Sequence, residues 1–211
     1  MHLTISPADM QRIERTAFAQ GVPSILLMEQ AAQSVVCVLE DILGSCESQH
    51  VLFVAGCGNN GGDGYALACI LADNGIPSTL VRVSEKFSED GKYFYDRAMQ
   101  KGVTDSCFTA KTDLAQYDIV VDCILGTGFH GAPRGAVADA IRAINASGAY
   151  VISADINSGL DGDTGEAVEK LQRKLWELGF LSKDSVQNSI GTFNEATGLA
   201  VASAQLKMGY E

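Results

Sequence analysis

Asp122 sits inside an apolar run, Asp118 to Leu125 (DIVVDCIL). A carboxylate there is expensive to desolvate without a partner, and no lysine or arginine lies near it in sequence. Its charge is answered by backbone N–H groups, by the more distant Arg134, or by a bound cation with oxygen ligands from Asp122, Asn60 and Ser158. The cation is the reading carried forward, and oxygen-only ligation suits a hard ion. Asp155 is a second carboxylate, at the end of another apolar run in ISADINSG. Beside glycine loops it suits a general acid or base, or else it caps the following turn. Asn59, Asn60 and Asp63 stand in GCGNNGGDG, Gly56 to Gly64. Amide and carboxylate groups among glycines suit a nucleotide, a hydrated cation or both; the plainer reading is two asparagines satisfying a turn. His130, in GTGFHG, is a third candidate for proton transfer, although loop histidines are more often bystanders. Cys57 has no histidine near it in sequence and reads as a spacer rather than a nucleophile.

The elements that must position these residues follow from hydrophobic patterning. Val51 to Ala55 (VLFVA) is a short apolar run rich in β-formers. A loop with five glycines follows, then YALACILADNG with apolar residues at helical spacing and Gly75 as a C-cap. A strand, a glycine-rich turn and a helix N-terminus make an anion site, because free N–H groups and the helix dipole favour negative charge. The loop lacks the Walker A lysine, which argues against an NTPase. Ser78–Val83 reads as a second strand, Ser88–Gly102 as a helix with Ser88 as N-cap, and Cys107–Ala110 as a short edge strand. Asp118–Leu125 and Ala149–Ile156 read as strands buried on both faces, with a helix over Ala136–Ser147 between them. Upstream, Ser6 caps a helix with Pro7 at its first position and Met10, Ile13, Ala17 and Phe18 at helical spacing. After Gly21-Val22-Pro23 a longer helix runs from Ser24 to Leu43, its apolar stripe Leu27, Ala31, Val35, Val38 and Leu39. Glu29 on it is an interface or site residue, or a solvated glutamate.

Strands alternating with helices predict an α/β fold, a parallel sheet with helices on both faces. Ligands of such sheets sit beyond the strands' carboxyl ends, where the strand order switches. Three loops leave those ends: Gly56–Gly64, Gly126–Gly135 and Asn157–Gly165. All three are rich in glycine and small polar groups.

The chain has 211 residues, 46% of them apolar, enough for one full domain with a sizeable core. Its 26 acidic and 15 basic side chains give a formal charge of −11, which argues against nucleic acid or an anionic membrane surface as partner. No apolar run approaches a membrane span, and MHLTISPADM shows no basic n-region followed by an apolar core, so no signal peptide is expected. The six cysteines, Cys37, Cys46, Cys57, Cys69, Cys107 and Cys123, form no C-x-x-C pair and read as reduced thiols of a cytoplasmic protein.

GCGNNGGDGYALACIL (Gly56–Leu71), VDCILGTGFHGAPRG (Val121–Gly135) and ADINSGLDGDTG (Ala154–Gly165) resemble the YjeF N-terminal domain family, the NAD(P)HX epimerases. LLMEQAA (Leu26–Ala32) is similar to that family's N-terminal helix motif, and the likeness covers about residues 5–166. It implies a Rossmann-like three-layer α/β/α sandwich with a mostly parallel sheet. The implied activity interconverts the R and S epimers of hydrated NADH and NADPH, which carry a hydroxyl at C6 of the reduced nicotinamide. Carried over position by position, Asn59, Asn60, Gly61, Gly62 and Asp63 hold the nucleotide. Gly126, Thr127, Gly128, Phe129, His130, Gly131 and Ala132 line the phosphate side. Asp155 contacts the substrate and is the catalytic candidate, for proton transfer or for stabilising positive charge on the ring. Asn60, Asp122 and Ser158 ligate one potassium ion. A homodimer is compatible with the family.

Two departures stand out. The family's DIPSG motif has proline where this chain has Asn157, which leaves the loop carrying Ser158 less restricted. Past Gly165 the family continues with further strands, whereas this chain turns to helix formers. Ala167–Phe180 reads as an amphipathic helix with Val168, Leu171, Leu175 and Leu178 on one side, and a second helix covers Glu195 to Met208. Residues 1–166 thus read as the nucleotide-binding domain and 167–211 as a short helical C-terminal segment. That segment weakly resembles a peptidoglycan-binding helical module; packing on the exposed sheet edge is the preferred reading. The alternatives to an epimerase are a catalytically silent nucleotide-binding or interaction domain of the same fold, and a cell-wall binder acting through the C-terminal helices.

Overall fold

The computed structural model describes residues 6–43 and 50–163. The expected helices over 167–180 and 195–208, and Cys46, lie outside the described residues. In chain order the elements are α1 (Pro7–Ala19), α2 (Ser24–Leu43), β1 (Val51–Ala55), α3 (Asn59–Asp73), β2 (Ser78–Arg82), α4 (Glu89–Gln100), β3 (Thr104–Cys107), β4 (Ile119–Cys123), α5 (Gly135–Ala146) and β5 (Tyr150–Ser153). The five strands form one sheet in the order β3-β2-β1-β4-β5. All four pairings are parallel.

The alternation of the strands sorts their side chains onto two faces. Val51, Phe53 and Ala55 of β1, with Ile119, Val121 and Cys123 of β4, share a core with α2, α3 and α4. Leu52 and Val54, with Val120, pack instead with Ala140 and Ile144 of α5. Helices therefore cover both faces, and the sandwich has three layers. β1 and β4 are central and buried at every position. β5, whose apolar run reads as a strand buried on both faces, is only partly so, with Tyr150 exposed. It pairs with β4 alone among the described residues, so one flank has no neighbour there.

Local signals placed two helix starts. Ser6 Oγ accepts from Asp9 N at the start of α1, and Ser88 Oγ accepts from Gly91 N at the start of α4. Gly75, at φ +74°, follows the C-cap Asn74 rather than being the cap itself.

Four further expectations shift. The edge strand lies at Thr104–Cys107, not Cys107–Ala110. Its register is set by pairing with β2, Thr79 opposite Thr104 and Arg82 opposite Cys107, and its polar residues give no apolar signal. The buried stripe of α2 is Met28, Ala32, Val36, Val38 and Leu39; apart from Val38 and Leu39 it is rotated one residue from the expected one. The apolar face of α1 is not core, since Met10, Ile13 and Phe18 are exposed and no residue of that helix is buried. Last, α3 begins at Asn59, so most of the glycine-rich stretch is helix rather than loop.

That early start explains the glycines. A Cβ on Gly61 would lie 2.1 Å from the Gly56 carbonyl oxygen, and one on Gly56 would lie 2.0 Å from that of Ile124. A Cβ on Gly62 would meet the Met28 thioether at 2.6 Å. Glycine costs helix propensity, and here close packing of α3 on β1, β4 and α2 leaves no room for anything larger. The helix itself is almost wholly buried, with Tyr65, Leu67 and Leu71 in the core.

Candidate functional site

The strand order runs outward from β1 to β2 and β3, then returns to β4 and β5. The switch lies between β1 and β4, and a crevice opens there at the carboxyl ends. Three segments meet at it: the α3 N-terminus after β1, residues 124–134 after β4, and residues 154–163 after β5.

Asp122 is buried near the end of β4. Its Oδ1 accepts from Ile124 N at 3.1 Å and Ser158 Oγ at 2.6 Å, and its Oδ2 accepts from Ser158 N at 2.9 Å. These donors, rather than Arg134, answer its charge. Burial pushes its carboxyl up and the Ser158 and Ile124 hydrogen bonds pull the other way. Ser158 is thus fixed although Asn157 replaces a proline, and its Oγ also accepts from Leu125 N at 2.9 Å.

Asn60 stands next to this knot. Its Nδ2 donates to the Leu125 carbonyl at 2.9 Å. Its Oδ1 is buried and has no hydrogen-bond partner among the described residues. A buried amide oxygen without a partner costs about 1–3 kcal/mol. This orphan oxygen, beside the Leu125 carbonyl that Asn60 and Ser158 share, is a donor set that fits a hard cation.

Asp155, in the turn after β5, is exposed. Its Oδ2 accepts from Thr127 N at 2.8 Å and from Thr127 Oγ1 at 3.1 Å. It therefore holds the 126–132 loop. Gly126 lies directly beneath, where a Cβ would be 2.6 Å from Asp155 Oδ2 and 3.3 Å from Asn60 Cβ. The loop folds back through Phe129 N donating to the Gly126 carbonyl at 3.0 Å. Gly128 and Ala132 are exposed, Phe129 is half-buried, and Gly131 takes φ +87°.

Asn59 is exposed at the first turn of α3, Gly61 and Gly62 are buried, and Asp63 is half-buried. Burial, then the charges of Asp155 and Glu14, push the Asp63 carboxyl up to about 7. His130 turns away from this group: its Nδ1 lies 3.0 Å from Asp161 Oδ2, and that contact holds its pKa above the ordinary value. Glu29 lies outside the site and faces Arg97 of α4 at 3.7 Å. Cys57 is an exposed free thiol.

Several participants carried no individual signal in the sequence. The Leu125 carbonyl is backbone, which no residue type announces. Glu14 lies on the polar part of α1, and only packing brings its charge near Asp63. Asp161 and Asp163 join His130 in a group whose ligand atoms lie within 4.8 Å of one another. Both belong to the third glycine-rich loop but had no distinguishing spacing.

A sequence profile described as "YjeF-related protein N-terminus" matches residues 24–176. The chain belongs to the YjeF N-terminal family. Among similar YjeF-related proteins is one named NAD(P)H-hydrate epimerase from Limosilactobacillus reuteri (strain DSM 20016), 35% identical over 153 residues, 70% of this chain and 69% of that protein. A protein of the same name from Nitrosopumilus maritimus is 32% identical over 170 residues, covering 79% and 78%. The Bifunctional NAD(P)H-hydrate repair enzyme of Thermofilum pendens is 34% identical over 170 residues, which are 76% of this chain and 32% of that longer protein. The crystal structure of the yeast protein ynu0 superposes with a TM-score of 0.63 at 23% identity, covering 80% of this chain and 76% of that one. That likeness shows the YjeF-type fold. No helix among the described residues is long and apolar enough to cross a membrane.

Proposed function

We propose that this protein is an NAD(P)H-hydrate epimerase, interconverting the R and S forms of hydrated NADH and NADPH. The observation that carries the reading is the meeting of three segments at the β1/β4 switch. There Asp155 grips Thr127 over the glycine-rich start of α3, in a chain whose relatives bear that name. Asn59 to Asp63 hold the nucleotide. Gly126 to Ala132 line the phosphate side, where an N-terminal helix turn and small residues admit an anion. Asp155, fixed against the loop, lies against the nicotinamide and opposes positive charge on the ring as the C6 hydroxyl departs.

Asn60, Asp122 and Ser158 are the residues that would hold a potassium ion, and the unpartnered Asn60 Oδ1 supports that assignment. Bound there, the ion supplies positive charge that offsets the diphosphate in a protein of net charge −11. Residues 1–166 carry this function, which belongs to the cytoplasm, where its cofactor substrates are used.

The test is a coupled assay. The purified chain is mixed with the R epimer and a dehydratase specific for S. Repair of the R pool at a rate proportional to added protein is the expected result; no acceleration sinks the epimerase.

A further inference from the structure

The loop of residues 126–132 is thinly held. Three of its seven residues are glycine, and Gly128, His130, Gly131 and Ala132 are exposed. Glycine-rich backbone loses the most conformational freedom on ordering, so such a loop keeps one shape only where something ties it. Its first residues are tied well. Gly126 sits against Asn60 and Asp155, and Thr127 gives both its donors to Asp155 Oδ2. Phe129 N closes a turn onto the Gly126 carbonyl. Past that turn, one side-chain hydrogen bond reaches the loop among the described residues. It joins His130 Nδ1 to Asp161 Oδ2 at 3.0 Å.

Asp161 is a stiff anchor. Its Oδ1 accepts from Asp163 N at 3.0 Å, so its own turn orients the carboxylate. Its side chain is 20% exposed, against 60% for His130. The residues beside it are also fixed. Leu160 is buried, and its N–H donates to the Asn157 carbonyl at 3.0 Å. A Cβ on Gly162 would lie 3.2 Å from Pro7 Cγ and 3.3 Å from the Thr127 carbonyl oxygen. A Cβ on Gly159 would lie 3.7 Å from Pro133 Cγ. The segment carrying Asp161 is thus packed against both ends of the stretch that His130 belongs to.

We propose that Asp161 is a positioning residue, which grips His130 and so holds residues 128–132 in the shape that receives the substrate's diphosphate. This rests on the epimerase reading above and adds to it a residue that acts on the substrate through the loop.

A carboxylate only accepts, so Nδ1 carries the hydrogen of this bond. The bond is charge-assisted, and stronger, while His130 is protonated. The charged groups that reach His130 are Asp161 and Asp163. The Asp161 hydrogen bond comes first, then the charges of Asp161 and Asp163, and together they hold the imidazole above its ordinary 6.5. The full grip is therefore present at low pH and weakens as pH rises through that raised value. Because the histidine is exposed, the effect is a matter of a few-fold, not of orders of magnitude.

The experiment compares the wild type, Asp161→Asn and His130→Asn, the fold of each checked by circular dichroism, in two measurements. Asp161→Asn keeps one acceptor oxygen, which serves Asp163 N or His130 but not both. His130→Asn keeps a neutral N–H donor for Asp161. Amide hydrogen exchange over 128–132 at pH 6.5 is expected to be about threefold or more faster in Asp161→Asn than in the wild type, with His130→Asn between them. In the coupled assay from pH 6 to 9, Asp161→Asn raises KM about three- to fivefold at the acid end and leaves kcat within about twofold. The wild-type KM climbs toward that of Asp161→Asn as pH rises, whereas the KM of His130→Asn does not change with pH. Exchange that is the same in Asp161→Asn and the wild type overturns the grip. Faster exchange with an unchanged KM, in an active enzyme, overturns its service to the substrate. A wild type that does not accelerate repair at any pH overturns the epimerase reading and the substrate's part in this one, while the exchange measurement still decides the grip.

Discussion

Gly126 and Gly61 are both glycines in the site, yet substitution should have different consequences. A Cβ on Gly61 meets a backbone carbonyl at 2.1 Å, which cannot move without displacing β1 from α3. Gly61→Ala is expected to destabilise the fold by about 3 kcal/mol, at the upper end of overpacking costs, read by urea denaturation. At Gly126 the obstacle is the end of the Asp155 side chain, at 2.6 Å, and that group is exposed and can turn aside. Gly126→Ala should therefore melt within a few degrees of wild type while losing most epimerase activity, because Asp155 can no longer hold Thr127. Asp122 offers a third residue-scale test. Replacing its carboxylate by Asn removes a full charge from the proposed ion site. Potassium chloride should raise the melting temperature of the wild type more than choline chloride does, and Asp122→Asn should abolish the difference. Equal melting of the wild type in both salts would remove the ion from the site.

At the scale of elements, α1 and the β2–β3 edge behave as opposites. α1 has a capped start and an apolar face, yet contributes nothing buried. Its ties to the rest run through Pro7, whose Cγ is 3.2 Å from where a Cβ on Gly162 would be, and through the charge of Glu14. The β2–β3 edge is held by a side-chain knot. Arg82 reaches Asp105 through Nε at 2.8 Å and Nη2 at 2.8 Å, both side chains are largely buried, and Tyr95 Oη also donates to Asp105 at 3.1 Å. The guanidinium lies 5.1 Å from the Tyr95 ring centroid. Asp105→Ala leaves Arg82 without its partner and should cost about 3 kcal/mol. Lys92→Ala, which breaks the exposed pair with Asp96, should cost no more than about 0.5 kcal/mol. Chemical denaturation of the two variants separates these cases.

For the whole molecule, Asp63 couples stability to pH. Its carboxyl is raised from an ordinary value of 3.8 to about 7 in the fold. Below about pH 4 the group is protonated whether folded or unfolded and makes no difference. Between about 4 and 7 the folded state binds more protons, so stability falls as pH rises, and the loss is complete above 7. This is opposite in sign to a carboxylate paired in a salt bridge. The difference in unfolding free energy between wild type and Asp63→Asn should widen across that window in favour of the variant. A difference that stays flat from pH 4 to 8 would remove the coupling.

The order of elements was legible in the sequence because its signals are local. Apolar runs marked β1 and β4, Ser6 and Ser88 marked helix starts, and glycine-rich segments after three strands marked where a ligand site would form. Asn60, Asp122, Asp155 and Ser158 could be named for the same reason: their residue types contradict their apolar or glycine-rich surroundings. The tertiary structure decided the rest. β3 took its position from pairing with β2, which a polar strand cannot announce. The start of α3 at Asn59 came from packing distances that favour glycine over helix propensity. The exposed face of α1 followed from which helices the sheet had room to cover. Above all, the states of the carboxyl groups were tertiary facts. Asp122 found its donors on Ser158, 36 residues away, Asp155 found Thr127, 28 residues away, and Asp63 has none among the described residues. Sequence supplies the groups, but burial and the sheet order decide which charge is answered by a donor and which is not.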